Sequence, residues 1–468
     1  MSIARDEEEQ IIKDVPVIDK AELDPDINKK KKILYYALMF GTLSIIIAIV
    51  VILILTKGKT SDTQKSKSNI LRANYYTSED ETEVKLFTYH YITLLSSLKI
   101  DDKTIYLDDF YSNTYTFRKA GEHKVEYKLH LNIETLEDFF KECDYLTYVD
   151  ISDLDTKNVN STANMFYKCE SLLSVKIKDI DTKTVRNMAN MFYGCSSLTS
   201  IDLSNLNTYK VLNMSNLFNG CISLQTAKLN GLDTTNVGDM HEMFASCIKL
   251  KNLEMKNFKT INAVNMNKMF SHCYALKSLD LSSFYTPDVR NMGGMFQFCT
   301  NLTSIKINNF DTSQVTDMNK MFYACKSLTS LNLENFDTTL VTNMDNMFNG
   351  CFSLKDINLK SFNTINLKQM GMMFYGCKEI TEFNISNFNT ENVVNMGGLF
   401  GKCLSLKKID IRNFNSHKLA NKANLFNEIA ENGEIYYNSK IFNDTLLDFS
   451  IIKNWKKNDV SNKVKNNI

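Results

Sequence analysis

The sequence predicts an α/β solenoid of about 11 stacked coils, and three observations predict it. First, the eleven cysteines, Cys143, Cys169, Cys195, Cys221, Cys247, Cys273, Cys299, Cys325, Cys351, Cys377 and Cys403, recur at one constant interval, with none off the grid. Second, each period carries an apolar pair separated by a single residue, such as Ile201 and Leu203, which is the spacing of a short strand. Third, apolar residues then step by three, as in Val315, Met318 and Met321, which predicts tight helical or 3₁₀ turns closed by Met-Phe-x-x-Cys. A single coil cannot bury its own apolar edge, whereas stacked coils cover one another.

The elements follow in chain order. Residues 1–32 are charged and lack apolar periodicity, so they are expected to form a short disordered cytoplasmic tail. Residues 33–55, Ile33 to Leu55, run without a charge and are long enough to cross a bilayer as a signal anchor. No small-residue cleavage site follows. Lys29, Lys30, Lys31 and Lys32 flank the anchor on one side, and the positive-inside rule places the N-terminus in the cytoplasm and the body outside the cell. Residues 56–74 read as a flexible stalk and 75–136 as a β-rich N-terminal cap, with alternation over 114–131 and a turn at Ala120 and Gly121. The repeat occupies 137–426. Residues 427–468 leave the grid and read as a C-terminal cap, a strand at "GEIYYN" followed by an amphipathic helix carrying Trp455, the only tryptophan.

Each period has the form C-x2-L-x2-I-x-L-x2-F-x-T-x2-V-x2-M-x2-M-F-x2-C, with the corner "NFDT" at Asn309 to Thr312. Asn, Asp and Thr close such corners through their own side chains. The L-x-x-I-x-L half is that of a leucine-rich repeat. Joined to M-F-x-x-C and N-F-D-T-x-x-V-x-x-M, it resembles the BspA-like leucine-rich repeat surface proteins, in the 26-residue version found in mycoplasma lipoproteins and protist surface families. The resemblance covers 137–426 and extends to "GEIYYNSKIF" and "IIKNW". It implies a right-handed, leucine-rich-repeat-like stack and a cell-surface role in adhesion or recognition. The chain departs from the bacterial relatives, which are secreted or lipid-anchored, in having an N-terminal membrane segment and no lipobox cysteine.

Composition and motifs exclude several classes. Acidic and basic residues balance at 54 each, so no basic surface for nucleic acid is expected. The cysteines have no C-x2-C pairs, and the six histidines follow no grid, so neither metal nor cofactor is expected. The cysteines read as a structural ladder of buried thiols, with disulfides as the alternative in an exported body. Met188 and its equivalents in the following periods read as pliable core rather than a copper array. No nucleophile, base and orienting group recur together, and an enzyme is not expected.

What remains for function is the outward strand position between the two inward ones. Along the stack it reads Asp150, Lys176, Asp202, Lys228, Glu254, Asp280, Lys306, Asn332, Asn358, Asn384 and Asp410. This ladder changes from coil to coil while the core repeats. It is the candidate face for a protein or glycan partner, the bilayer being the other partner through 33–55. A solvated strand face that assists stacking is the plain alternative. In function, the alternative to a binding scaffold is a structural coat that self-associates laterally.

Overall fold

A computed structural model describes residues 67–106, 112–177, 180–442, 452 and 454–461. The expected tail, membrane segment and most of the stalk lie outside these residues. Among the described residues no helix is long and apolar enough to cross a membrane.

The fold begins earlier than the composition indicates. Lys67 donates to the Ser152 carbonyl at 2.8 Å, and Asn69 is buried. β1 (Ile70–Thr77) follows at once, so 67–74 is folded chain rather than stalk. Its alternation is real but hidden in polar company: Leu71, Ala73 and Tyr75 turn inward while Arg72, Asn74 and Tyr76 do not. β2 (Thr82–Lys85), β3 (Leu95–Ile100), β4 (Lys103–Ile105), β5 (Thr114–Phe117) and β6 (Gly121–Leu129) complete the cap. β5 and β6 flank a turn but do not pair with each other. β5 pairs antiparallel with β2, and β6 lies between β1 and β3. β7 (Leu146–Asp150) joins cap to coils, antiparallel to β1 on one side and parallel to the next strand on the other. The first coil therefore has no free edge toward the N-terminus.

From β8 (Ser174–Lys176) to β17 (Lys408–Asp410) each coil contributes one short strand, a full period after the last. With β7 and β18 (Glu434–Tyr437), the stack has about 12 coils rather than about 11. β19 (Lys456–Asp459) pairs in parallel with β18. The C-terminal helix expected after "GEIYYN" is not what the described residues form: 456–459 is a strand, and most of the segment before it lies outside them. Trp455 folds back over Gly433 and donates its indole N–H to the Ala430 carbonyl at 2.9 Å. Lys456, Lys457 and Asp459 make this last strand a charged one, unfavourable for pairing with another sheet edge. Removing 430–468 exposes the edge of β17 and the apolar rung at Ile409, and aggregation is the expected outcome. A soluble, cooperatively melting truncation by light scattering and circular dichroism would contradict it.

The expected helical turns are absent. Tyr89–Leu94, in the cap, is the one helical segment among the described residues, and it is 3₁₀. The period of three arises instead from chained β-turns. Met191, Tyr193 and Cys195 each donate an N–H to the carbonyl three residues back, at 3.0 to 3.3 Å. Met188, Asn190, Phe192 and Gly194 donate instead to Asn213, Ser215, Leu217 and Asn219 in the next coil. Alternate peptides thus point along the stack, which a helix forbids. Left-handed residues impose this alternation: Asn190 has φ 55° and Gly194 φ 70°, and both recur in coil after coil. Asn and Gly accept that conformation most readily. Ala324 occupies the glycine position at φ 57°, so Ala324→Gly is expected to stabilise by about 0.5–1 kcal/mol in urea unfolding despite the added chain entropy.

Cohesion between coils is divided unevenly. On the strand side the parallel ladder is broken into separate sheets. On the turn side an unbroken chain of single bridges runs from Ser161 to Asn421.

The core is a set of columns. Phe140, Phe166 and their equivalents to Phe426 stack with centroids 5.3 to 5.9 Å apart and planes within 19°. The methionines beside them are buried. A polar column accompanies the apolar ones. Thr286 Oγ1 donates to the Asp311 carbonyl at 2.8 Å and accepts the Asp311 N–H at 3.0 Å, and the donor half recurs from Thr156 to Thr390. A buried hydroxyl is tolerable only when satisfied in this way.

Candidate functional site

All eleven cysteines are free and buried, so neither disulfide nor reactive thiol is formed. From Cys169 to Cys403, each Sγ–H donates to a phenylalanine carbonyl of the preceding coil, at 2.9 to 3.4 Å. That carbonyl already accepts a turn N–H, as Phe166 does from Cys169, and the thiol fills its second lone pair. Serine would bring a costlier hydroxyl and alanine no donor, which accounts for cysteine here. Burial pushes the thiols up, Cys299, Cys351 and Cys403 to about 12.

The outward strand ladder is where the sequence places it. Asp202, Lys228, Glu254, Asp280, Lys306, Asn332, Asn384 and Lys176 are exposed, and Asp150, Asn358 and Asp410 are half-buried. Most of these side chains are engaged within the stack. Asp150, Asp202, Asp280, Asn332, Asn358 and Asp410 each accept the backbone N–H two residues on, starting the corner after the strand. Lys176 reaches back to Asp150 and Lys306 to Asp280, both at 2.8 Å. The hydrogen bonds from Lys306 and Ser282 hold the Asp280 carboxyl down to about 2. Glu254 accepts from Asn230 at 2.9 Å, and Asn358 donates to Glu334 at 2.8 Å. Corner building and coil-to-coil pairing thus explain much of the ladder, and pairs this exposed add little stability.

The turn face varies more freely. Two residues past each bridge position stand Ala189, Ser215, His241, Asn267, Gly293, Asn319, Asp345, Gly371, Gly397 and Ala423. Two residues before the cysteine stand Tyr193, Asn219, Ala245, Ser271, Gln297, Tyr323, Asn349, Tyr375 and Gly401. The helical expectation hid this face, because it gave these positions no common direction. The signals were present: the Gly-Gly pairs at 293–294 and 397–398, and Gln369 where every other coil from 187 to 421 has Asn or Asp. The bridge side chain normally accepts the N–H two residues on, as Asn343 does from Asp345 at 3.0 Å. At Gln369 that role passes to Asp345, which takes the Gly371 N–H at 2.5 Å from the preceding coil. Burial raises the Asp345 carboxyl.

The cap brings together Thr77, His123 and Asp101, residue types found in catalytic groups. His123 Nδ1 meets Asp101 at 2.7 Å, but Nε2 faces the Lys119 carbonyl at 2.9 Å and Thr77 Oγ1 at 3.4 Å. Thr77 is fully buried and Phe117 stacks on the imidazole at 3.9 Å, so the trio works as a sheet corner. Among the described residues no group of three His, Cys, Asp or Glu is placed to hold a metal.

No curated protein matches the chain. Among solved structures it is similar to one described as the crystal structure of a TLR13–ssRNA13 complex, at 18% identity and a TM-score of 0.28, over 62% of this chain and 43% of that one. It is also similar to an LRR protein of Leptospira interrogans, at 12% identity and a TM-score of 0.22, over 66% of this chain and 91% of that one. A family model described as "Mycoplasma protein of unknown function, DUF285" matches 134–230, 213–330, 296–384, 324–436 and 358–464, overlapping segments that take in all eleven cysteines. With well over half of its length matched, the chain belongs to this Mycoplasma repeat family, DUF285.

Proposed function

We propose that this is a membrane-anchored surface protein, with its N-terminus in the cytoplasm and its solenoid outside, and that the solenoid is a non-catalytic scaffold binding a macromolecular partner in adhesion or recognition. One observation carries the reading: core columns of Phe, Met, Thr and Cys repeat almost unchanged while the turn-face residues vary along the stack. Stacking demands the first and constrains the second less, although some of these side chains, such as Gln297 with Ser271, pair from coil to coil. The resemblance to BspA-like surface proteins supports the same role, and residues 33–55 supply a segment long enough to hold the chain in a bilayer.

Two measurements test it on the full chain. Protease applied to intact cells should remove a C-terminal epitope and leave an N-terminal one protected; protection of both until permeabilisation overturns the surface placement. Cells displaying the chain should adhere to immobilised glycoprotein, and adherence that survives deletion of 137–426 overturns the scaffold. Retention of nothing but further copies of the chain would favour the lateral coat.

A further inference from the structure

The turn face carries a groove of about 400 Å³ running from Asp345 to Asn427 across four coils. At ~4.8 Å per coil it is roughly 14 Å long. Its lining differs from the rest of the face. Gly371, Gly397, Gly398 and Gly401 gather here, where most other coils carry side chains (Gly293 and Gly294 being exceptions), so the floor lies close to backbone.

Three of the polar side chains that line the groove form a relay. Asn421 Nδ2 donates to Asn395 Oδ1 at 2.9 Å, and Asn395 Nδ2 donates to Asp345 Oδ1 at 3.3 Å. The last contact skips a whole coil, which is feasible because Gly371 has no side chain in between. A Cβ at Gly371 would lie 2.5 Å from Asn395 Nδ2, and one at Gly397 2.7 Å from Asn421 Nδ2. The glycines therefore leave room for the carboxamides to lie flat. Each carboxamide carries two N–H donors, and the relay spends one of them. A carboxylate oxygen and carboxamide N–H groups thus lie side by side in the groove.

An aromatic ring forms one wall. A Cβ at Gly401 would meet Tyr375 Cδ2 at 2.7 Å, so glycine lets this half-buried ring lie down across the coil. Met372 is exposed beside it. Backbone groups offer a ligand little. Met372 N–H donates to the Gly397 carbonyl and Gly398 N–H to the Ala423 carbonyl, both at 2.8 Å. An extended peptide, which binds through free main-chain groups, finds no edge here. The Asp345 carboxylate repels a phosphate or an acidic ligand.

Hydroxyl groups both donate and accept, and they match a mixed set of amide donors and a carboxylate acceptor. A pyranose adds an apolar C–H face suited to an aromatic wall. We propose that this groove is a saccharide-binding site, taking a short neutral oligosaccharide through Asp345, Asn395 and Asn421 with one sugar ring against Tyr375. The proposal rests on the scaffold reading above and names a ligand class and a place for it.

The test uses the full chain and three probes, maltotetraose, cellotetraose and chitotetraose, followed by saturation-transfer NMR and isothermal calorimetry. At least one probe should bind, and Tyr375→Ala and Asn421→Ala should each weaken it tenfold or more. Asn421 is exposed and Tyr375 half-buried, so thermal melting of each variant verifies the fold. Lys103→Ala, on the exposed side of the N-terminal cap, should leave binding unchanged. Absence of binding by all three probes, or affinity unaltered in Tyr375→Ala and Asn421→Ala, overturns the site. Adherence to glycoprotein that persists in those two variants also overturns it while leaving the scaffold reading intact. Saccharide binding without any cellular adherence upholds the groove and removes the scaffold reading instead.

Discussion

Raising the pH from 8 to 10 is expected to unfold the solenoid cooperatively, in reducing buffer and without any chemical denaturant. The eleven thiols are fully buried and held neutral in the fold, with Cys299 and Cys351 raised to about 12. An unfolded cysteine ionises near ~8.5. Below that pH both states keep the proton and the thiols exert no pH dependence. Above it the unfolded chain has released protons that the fold retains, so stability falls with pH by about 1.4 kcal/mol per thiol per unit. Eleven thiols acting together remove about 15 kcal/mol per unit, as much as a whole domain usually possesses. The loss begins near ~8.5, well before lysine deprotonation at ~10.4 adds its own effect. Far-UV circular dichroism against pH checks it. Replacing Cys299 and Cys325 by alanine should reduce the slope of stability on pH by about 2.7 kcal/mol per unit, whatever it does at neutral pH. A slope near zero between pH 8.5 and 9.5 would show that the thiols reach solvent in the folded chain.

Phe270→Ala is expected to be the most damaging single substitution of the core, at about 3–5 kcal/mol. Phe270 is fully buried, with Phe244 at 5.5 Å and Phe296 at 5.7 Å on its two faces, nearly parallel to both. Truncation removes two stacking contacts and leaves a ring-sized void that neighbouring turns cannot close. Each turn is bonded to the coils above and below: Phe270 N–H donates to the Met295 carbonyl at 2.9 Å. Urea unfolding measures the loss. A cost below about 1 kcal/mol would mean that the column relaxes, and that the coils are joined less rigidly than their hydrogen bonds imply. Phe352→Ala, on the surface beneath Lys326 and Lys378, should cost far less.

The outward strand ladder illustrates the limit of reading function from periodicity. Spacing alone identifies which residues point out, but not that Asp280 is occupied by Ser282 and Lys306. Pairing of that kind depends on the neighbouring coil, a full period away along the chain, and the sequence pattern has no term for it. The groove at Gly371 and Gly397 was less legible still. A glycine in a repeat reads as a turn residue, and its meaning here depends on carboxamides from the next coil lying across it. Likewise, 456–459 reads as part of an amphipathic helix, yet forms a strand because β18 offers it a parallel edge.

The constant spacing by itself determined that the coils stack and that Leu, Phe, Met and Cys line up in inward columns, whereas the Thr column, bonded to the next coil, emerged only in three dimensions. The stack and its apolar columns follow from one constraint, that each coil must bury its edge against a copy of itself. Whether the steps of three were helix or chained turns, where the folded body begins, and which outward groups are left to meet a partner were decided only in three dimensions. Each of these depends on where a backbone N–H finds its acceptor, within its own coil or in the next, and a linear pattern of apolar residues does not encode that choice.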